Sequence, residues 1–409
     1  MGTRTFIDKG YQAITPRSAK SGDMSLLITI IALVAFGLLM LYSASADYSV
    51  EILGEVPSYM FKRQLLWLLF GIVIAFAFSL LDYHHWRRVA VLAMLGTIIA
   101  LVAVLFIQEL RLGAVRTFYN GSIQPSELAK VVIIIYLSVW LYAKRAQLHS
   151  IELGLIPLAI ILGLIGGLIY LQPDISATAT IFILGGVLFF LAGADLKQII
   201  ILILLASLVA WAIVQVSATG QERVEYYRLG LQDPTHASYH VRRALEAIVN
   251  GGVFGLGIGQ SVTKLTGLPV PPTDSIFAVI AEEFGLVGAT VLILLYAIMV
   301  WRGLVIARRA PDMLGSLLAT GLVFWIAIEA LINMTVMVGL LPFAGNALPF
   351  ISAGGSSLVT SLAAIGILFN ISRQRGENSQ LDDEWRAFGA TANLRRRNGR
   401  RGLSRTRRS

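Results

Sequence analysis

Glu127 and Lys130 stand three positions apart on one helix face. Pro125, tolerated in a helix's first turn, opens the otherwise apolar stretch that holds them. In a membrane span such groups are costly and count as functional candidates by default. The pair reads either as a neutralised structural bridge or, with Arg116 in the preceding Gly113-Ala-Val-Arg116, as a site for a polar lipid headgroup. Asp174, in Gln172-Pro-Asp174, is a helix-start acceptor or a site residue. Five glycines between Gly251 and Gly259 let backbone approach backbone or a ligand, and Ser261 and Lys264 follow them. No strand precedes the run and its spacing differs from a dinucleotide fingerprint. Asp274 is a lone carboxylate reached through the stiff Leu268-Pro-Val-Pro-Pro-Thr273, with Glu282 and Glu283 two turns further on. It is a helix N-cap or a site residue. Asn333, Gly339-Leu-Leu-Pro342 and Ser352-Ala-Gly-Gly-Ser-Ser357 frame an uncharged loop able to line a polar cavity or to cap a helix.

Other chemistries lack residues. The chain has no cysteine, so disulfides, thiolate metal sites and a cysteine nucleophile are excluded. Its five histidines show no zinc spacing, and no Walker A pattern occurs.

The elements that position these groups follow from composition. Of 409 residues, 56% are apolar and 14% charged, with mean hydropathy +0.74. A soluble chain carries about 25% charge. An all-α polytopic membrane protein is expected, with spans at 24–43, 64–81, 89–107, 125–142, 153–171, 174–193, 197–216, 275–301, 313–335 and 350–371. With both termini in the cytoplasm, inner segments hold twenty-three Lys and Arg against nine in outer loops, as the positive-inside rule requires. The net charge of +9 thus reflects orientation rather than nucleic acid. A basic leader and Ala44-Ser45-Ala46 resemble a secretory signal, but an apolar stretch of about 18 residues exceeds a signal core and favours an uncleaved helix. Residues 1–23 form a cytoplasmic tail, 24–371 the ten-span domain, and 217–274 one long outer loop between spans 7 and 8. Residues 372–409 form a basic tail expected to be disordered, with Arg395-Arg396-Arg397 able to touch anionic lipid.

The motifs occur together in one order. They comprise Arg63-Gln64, Gln124-Pro-Ser-Glu-Leu-Ala-Lys130, Gln172-Pro-Asp174 and Gly255-Leu-Gly-Ile-Gly-Gln-Ser261 with Lys264. Thr273-Asp274-Ser-Ile-Phe-Ala-Val279, Glu282-Glu283-Phe-Gly-Leu-Val-Gly288, Gly339-Leu-Leu-Pro342 and Gly354-Gly-Ser-Ser357 complete the set. From about Arg63 to Arg373 the chain resembles the shape, elongation, division and sporulation family of peptidoglycan glycosyltransferases, with FtsW the nearer branch. It departs from the family pattern at Ala353, where a tyrosine is usual, at Phe343-Ala344 and Asn346-Ala347, and at His240 and Arg243, where glutamines are common.

The resemblance implies polymerisation of lipid II on the outer face of a bacterial cytoplasmic membrane during division or elongation. It makes Asp274 the essential acid, Glu127 and Lys130 the polar pair of the fourth span, and Arg116 a basic residue of the adjoining loop. A sugar hydroxyl is a poor nucleophile, so a carboxylate should take its proton during attack. Arg63, Arg116, Lys130 or Lys264 would stabilise the departing pyrophosphate, with Ser261 and Ser356 as further substrate contacts. A divalent cation, magnesium or manganese, would share that task, but no ligand cluster marks a site. Implied partners are lipid II, the nascent glycan, a class B penicillin-binding transpeptidase and other membrane proteins of the division or elongation machinery. The rival functions are a lipid II flippase and a non-catalytic division scaffold.

Overall fold

The computed structural model describes residues 22–107, 110–111, 114–115 and 124–374. Arg116, the N-terminal tail before Gly22 and the basic tail from Arg375 lie outside the described residues. Ten helices occupy the expected spans. They are α1 (Met24–Glu51), α2 (Tyr59–Leu80), α3 (Trp86–Ile107), α4 (Pro125–Lys144), α5 (Ile156–Tyr170), α6 (Ile175–Leu191), α7 (Leu196–Val216), α10 (Ile276–Arg308), α11 (Met313–Met337) and α12 (Gly355–Arg373). Two more, α8 (Ala218–Gln232) and α9 (Tyr239–Gly251), structure the long loop between α7 and α10. A two-residue antiparallel pairing, β1 (Leu110–Arg111) with β2 (Ala114–Val115), is the only strand structure among the described residues.

Among the described residues, nine helices are long and apolar enough to cross a membrane. The tenth, α6, has 17 residues, which at about 1.5 Å each gives roughly 26 Å, the short end of what a bilayer core needs.

Local chemistry sets the ends. Asp23 accepts from Leu26 N at 3.1 Å to start α1, Asp312 from Gly315 N at 2.8 Å to start α11, and Pro125 occupies the first turn of α4. The last helix starts at Gly355 rather than at 350, because Ser352 Oγ and Ala353 N are spent on the Thr273 and Pro272 carbonyls.

Helices α4, α11 and α12 are the most buried, while α7 is almost wholly exposed on the rim. The tightest seam joins α12 to α2, where a Cβ on Gly366 would collide with the Ala75 carbonyl. Two polar clamps span α1 and α10. At one end Arg302 Nη2 meets Asp23 at 2.6 Å; at the other Ser43 Oγ donates to Glu283 at 2.6 Å. Twenty residues separate Asp23 from Ser43 and nineteen separate Glu283 from Arg302. Both intervals amount to about 30 Å, the thickness of a bilayer hydrocarbon core. The Ser43–Glu283 clamp thus lies about one hydrocarbon thickness from the Asp23–Arg302 pair, towards the end of the bundle that carries Asp274.

Candidate functional site

Asp274 lies just before α10 and is held by its backbone. The carbonyl of Pro272 accepts from Ala353 N at 2.7 Å, and that of Thr273 from Ser352 Oγ at 2.6 Å. The Asp274 carbonyl itself accepts from Asn333 Nδ2 at 2.9 Å. Three successive carbonyls are thus taken by α11 and the loop after it. Asn333 also donates to the Asn346 carbonyl at 2.6 Å, and Ser352 Oγ accepts from Leu348 N at 2.7 Å, so the gripping loop is itself fixed.

The cap position of α10 falls to Ser275, whose hydroxyl turns back to the Pro269 carbonyl at 2.7 Å. Half-buried, the Asp274 carboxylate faces Gly345, where an added Cβ would lie 2.9 Å from Oδ2. Tyr48 of α1 is close enough for its hydroxyl to feel the Asp274 charge. Gln64 supports the same loop from α2: its amide donates to the Ser352 carbonyl at 3.3 Å and accepts from Gly354 N at 3.2 Å. Its neighbour Arg63 is half-buried. Ser356 Oγ accepts from Gln124 N at 3.2 Å, which ties α12 to the start of α4.

The glycine run has a structural task. α10 breaks at Gly285 (φ 66°, ψ −164°), and the break orphans the Glu282 and Glu283 carbonyls and the Leu286 and Val287 amides. Leu256 N and Gly257 N fill the carbonyls at 3.0 Å each, while Leu286 N and Val287 N donate to Gly252 O at 3.0 Å and Val253 O at 3.1 Å. Gly255 (φ 80°) sits so close that a Cβ would collide with the Glu283 carbonyl.

Side chains complete the joint. Ser261 Oγ and Thr263 Oγ1 both donate to Glu282, which is fully buried. Lys264 Nζ reaches Glu283 at 3.0 Å, Gly259 O at 3.1 Å and Ser43 Oγ at 3.2 Å. Ser261 and Lys264 are therefore committed to the α10 break and are not gathered with Asp274.

The α4 pair gains a third member. Lys130 Nζ donates to Glu127 Oε1 at 2.7 Å and also to Glu329 Oε1 of α11. All three are at least nine-tenths buried. Glu127 Oε2 and Asn333 Oδ1 are buried atoms with no protein partner, so each keeps a free lone pair. Glu329 was missed by sequence reasoning. The available signal was an acid inside an apolar span, four residues and hence one turn from Asn333. Helix α11 thereby links Lys130 to the Asp274 carbonyl.

Asp174 has a structural role: it caps α6 through Ala177 N at 3.2 Å and accepts from Gln124 Nε2 at 3.0 Å and Ser126 Oγ at 3.1 Å.

Two departures from the expected family pattern meet in space. His240 of α9 stacks on Phe343 with centroids 4.1 Å apart, and Arg223 of α8 lies 5.9 Å from the same ring. Burial, then the Arg223 cation, holds His240 below its ordinary pKa. Arg243 closes onto the Thr266 carbonyl at 2.6 Å. Among the described residues no group of three or more His, Asp or Glu is gathered to hold a metal ion.

Residues 24–377 match the model of the cell cycle protein family of FtsW, RodA and SpoVE. The chain is 37% identical to stage V sporulation protein E of Bacillus subtilis over 361 residues, covering 86% of this chain and 97% of that one. It is 38% identical over 358 residues to a protein of Trichlorobacter lovleyi named as a probable peptidoglycan glycosyltransferase FtsW, covering 86% and 93%. The fold is similar to a chain of a peptidoglycan synthase complex that coordinates polymerisation and crosslinking. That match has TM-score 0.71 and 25% identity, covering 87% of this chain and 99% of the other.

Proposed function

Since the chain belongs to the FtsW, RodA and SpoVE family, we propose that this polytopic membrane protein is a peptidoglycan glycosyltransferase that polymerises lipid II, with Asp274 as its general base. The observation that carries the assignment is the triple grip on Pro272, Thr273 and Asp274, which fixes a carboxylate beside an uncharged loop at the bundle's end. Such preorganisation is what proton transfer in a transition state requires. The acceptor's sugar 4-hydroxyl attacks the anomeric carbon of the donor glycan. As the new C–O bond forms, the bond to pyrophosphate breaks, the hydroxyl proton passes to Asp274, and undecaprenyl pyrophosphate leaves.

The neighbours divide the remaining work. Lys130 is held between two carboxylates and Lys264 is spent on Glu283, so both act as positioning residues. Arg63 and Arg116 are the cations assigned to the departing pyrophosphate. Ser356 orients the start of α4 through Gln124 N.

On this reading the protein sits in the cytoplasmic membrane with both termini inside and Asp274 outside, where flipped lipid II is available. A class B penicillin-binding transpeptidase is its assigned partner, since the similar structure comes from a complex that also crosslinks. Flippase activity fits less well, because, Asp23 apart, the buried acids and lysines collect towards the Asp274 end. Lys130 lies fourteen residues from Lys144, about 21 Å up α4.

Incubating the purified protein with labelled lipid II should yield glycan strands. A protein that moves lipid II across vesicles but forms no polymer would overturn the assignment. An outside-only reporter should be active when fused within 217–272 and silent after Arg373; the reverse pattern would move Asp274 to the wrong face.

A further inference from the structure

The loop between α7 and α10 divides by chemistry. Its first half, α8, carries Glu222, Arg223, Glu225 and Arg228 and is a water-facing helix. Its second half has no charged side chain between Glu246 and Lys264. There the apolar residues point outward. Phe254 is 83% exposed and Val249 77%, with Val253, Leu256, Ile258 and Val262 also exposed. A contiguous apolar patch of this kind marks an interaction surface.

Its level is fixed by bonds already described. Residues 249–265, a glycine-rich finger, are paired through Leu256 N and Gly257 N to the Glu282 and Glu283 carbonyls, and Lys264 joins them to the Ser43–Glu283 clamp. That clamp lies about one hydrocarbon thickness from the Asp23–Arg302 pair. Leu286 and Val287 of α10, whose amides bond to Gly252 and Val253, are exposed apolar residues of a membrane-crossing helix. The apolar surface therefore continues from the spanning helix onto the finger. Its backbone, satisfied by the α10 break, meets the condition for irregular chain at this depth.

We infer that residues 249–265 form an interfacial anchor, with Phe254 and its neighbours inserted among the acyl chains of the surrounding lipid. The occupant is bilayer lipid, because the patch is uncharged and continuous with the lipid-facing side of α10. The anchor braces the first segment of α10, which follows directly on Asp274. This inference is independent of the catalytic assignment.

The cysteine-free chain allows a direct test. Phe254→Cys, Ile258→Cys and, as the aqueous control, Glu225→Cys would each carry a single nitroxide in full-length protein reconstituted in phosphatidylglycerol and phosphatidylethanolamine vesicles. Relaxation would be compared with oxygen, which partitions into lipid, and a nickel chelate, which stays in water. At 254 and 258 the oxygen effect should exceed the nickel effect, and at 225 the order should invert. Nickel access at both finger positions equal to that at 225 would place the finger in water and overturn the inference. Protection from both reagents at both positions would also overturn it, showing the patch covered by a second copy. Two finger positions keep the test decisive if one variant misfolds.

Discussion

Replacing Lys130 by alanine should destabilise the protein more than any other single change among the buried ionic groups of α4 and α11. The ammonium is 2% exposed and is shared by Glu127 and Glu329, so its removal leaves two carboxylates buried without a cation. Breaking one buried pair costs about 3–5 kcal/mol, and this change breaks two sharing one centre. Glu329→Leu removes one charge-assisted hydrogen bond and leaves Lys130 on Glu127, a loss of about 1.5–3 kcal/mol. Glu329→Gln keeps an acceptor for Lys130 and removes the one negative charge in excess, so it should lie within about 1 kcal/mol of wild type.

The double change Glu127→Ala with Lys130→Ala, the natural rescue for an isolated pair, should fail because it strands Glu329. Adding Glu329→Gln should restore stability without restoring polymerisation. Thermal unfolding of detergent-purified variants, read by loss of monodisperse protein, gives the order directly. A Glu127→Ala/Lys130→Ala protein as stable as wild type, or Glu329→Gln as damaging as Lys130→Ala, would refute the three-membered arrangement.

Gly255→Ala should lower the unfolding temperature more than Gly259→Ala. Both have positive φ, costing about 1–3 kcal/mol with a side chain, but only the first adds a collision with the Glu283 carbonyl; equal losses would argue against the α10 break as the reason for glycine there. His240 should make stability pH-dependent. Its folded pKa is held below 6.5, so on acidification the unfolded chain binds the proton first, and the stabilisation present above about pH 6.5 is lost as pH falls through the lowered value. The wild-type unfolding temperature should therefore drop more between about pH 7 and pH 5 than that of His240→Gln; parallel curves would show that His240 does not titrate in that window.

The helices were legible because long apolar runs and their terminal Asp and Pro signals are local. Every expected span has a helix, and even the short α6 is bounded by Asp174 where a cap was expected. The candidate site could be proposed from sequence as a list of residues but not as an arrangement. Asp274 was a plausible cap from sequence, yet the cap position went to Ser275, because the carbonyls of residues 272–274 were claimed by residues some sixty to eighty positions away. Lys264 looked like a free cation for substrate, and only tertiary contact with Ser43 and Glu283 shows it occupied. Glu329 escaped notice although an acid in an apolar run is itself a signal, because its partner Lys130 lies on another helix and no local spacing links the two. His240 and Phe343 read as unrelated departures and turn out to be stacked on each other.

The central claim is that Asp274 takes the proton, and the rate of lipid II polymerisation by Asp274→Asn tests it most directly. Asparagine keeps the shape, the backbone grip on residues 272–274 and the cations assigned to pyrophosphate, so folding and lipid II binding should be retained. Loss of a general base should lower polymerisation by about 10²–10⁴-fold. An Asp274→Asn protein that polymerises lipid II at close to the wild-type rate would contradict the account.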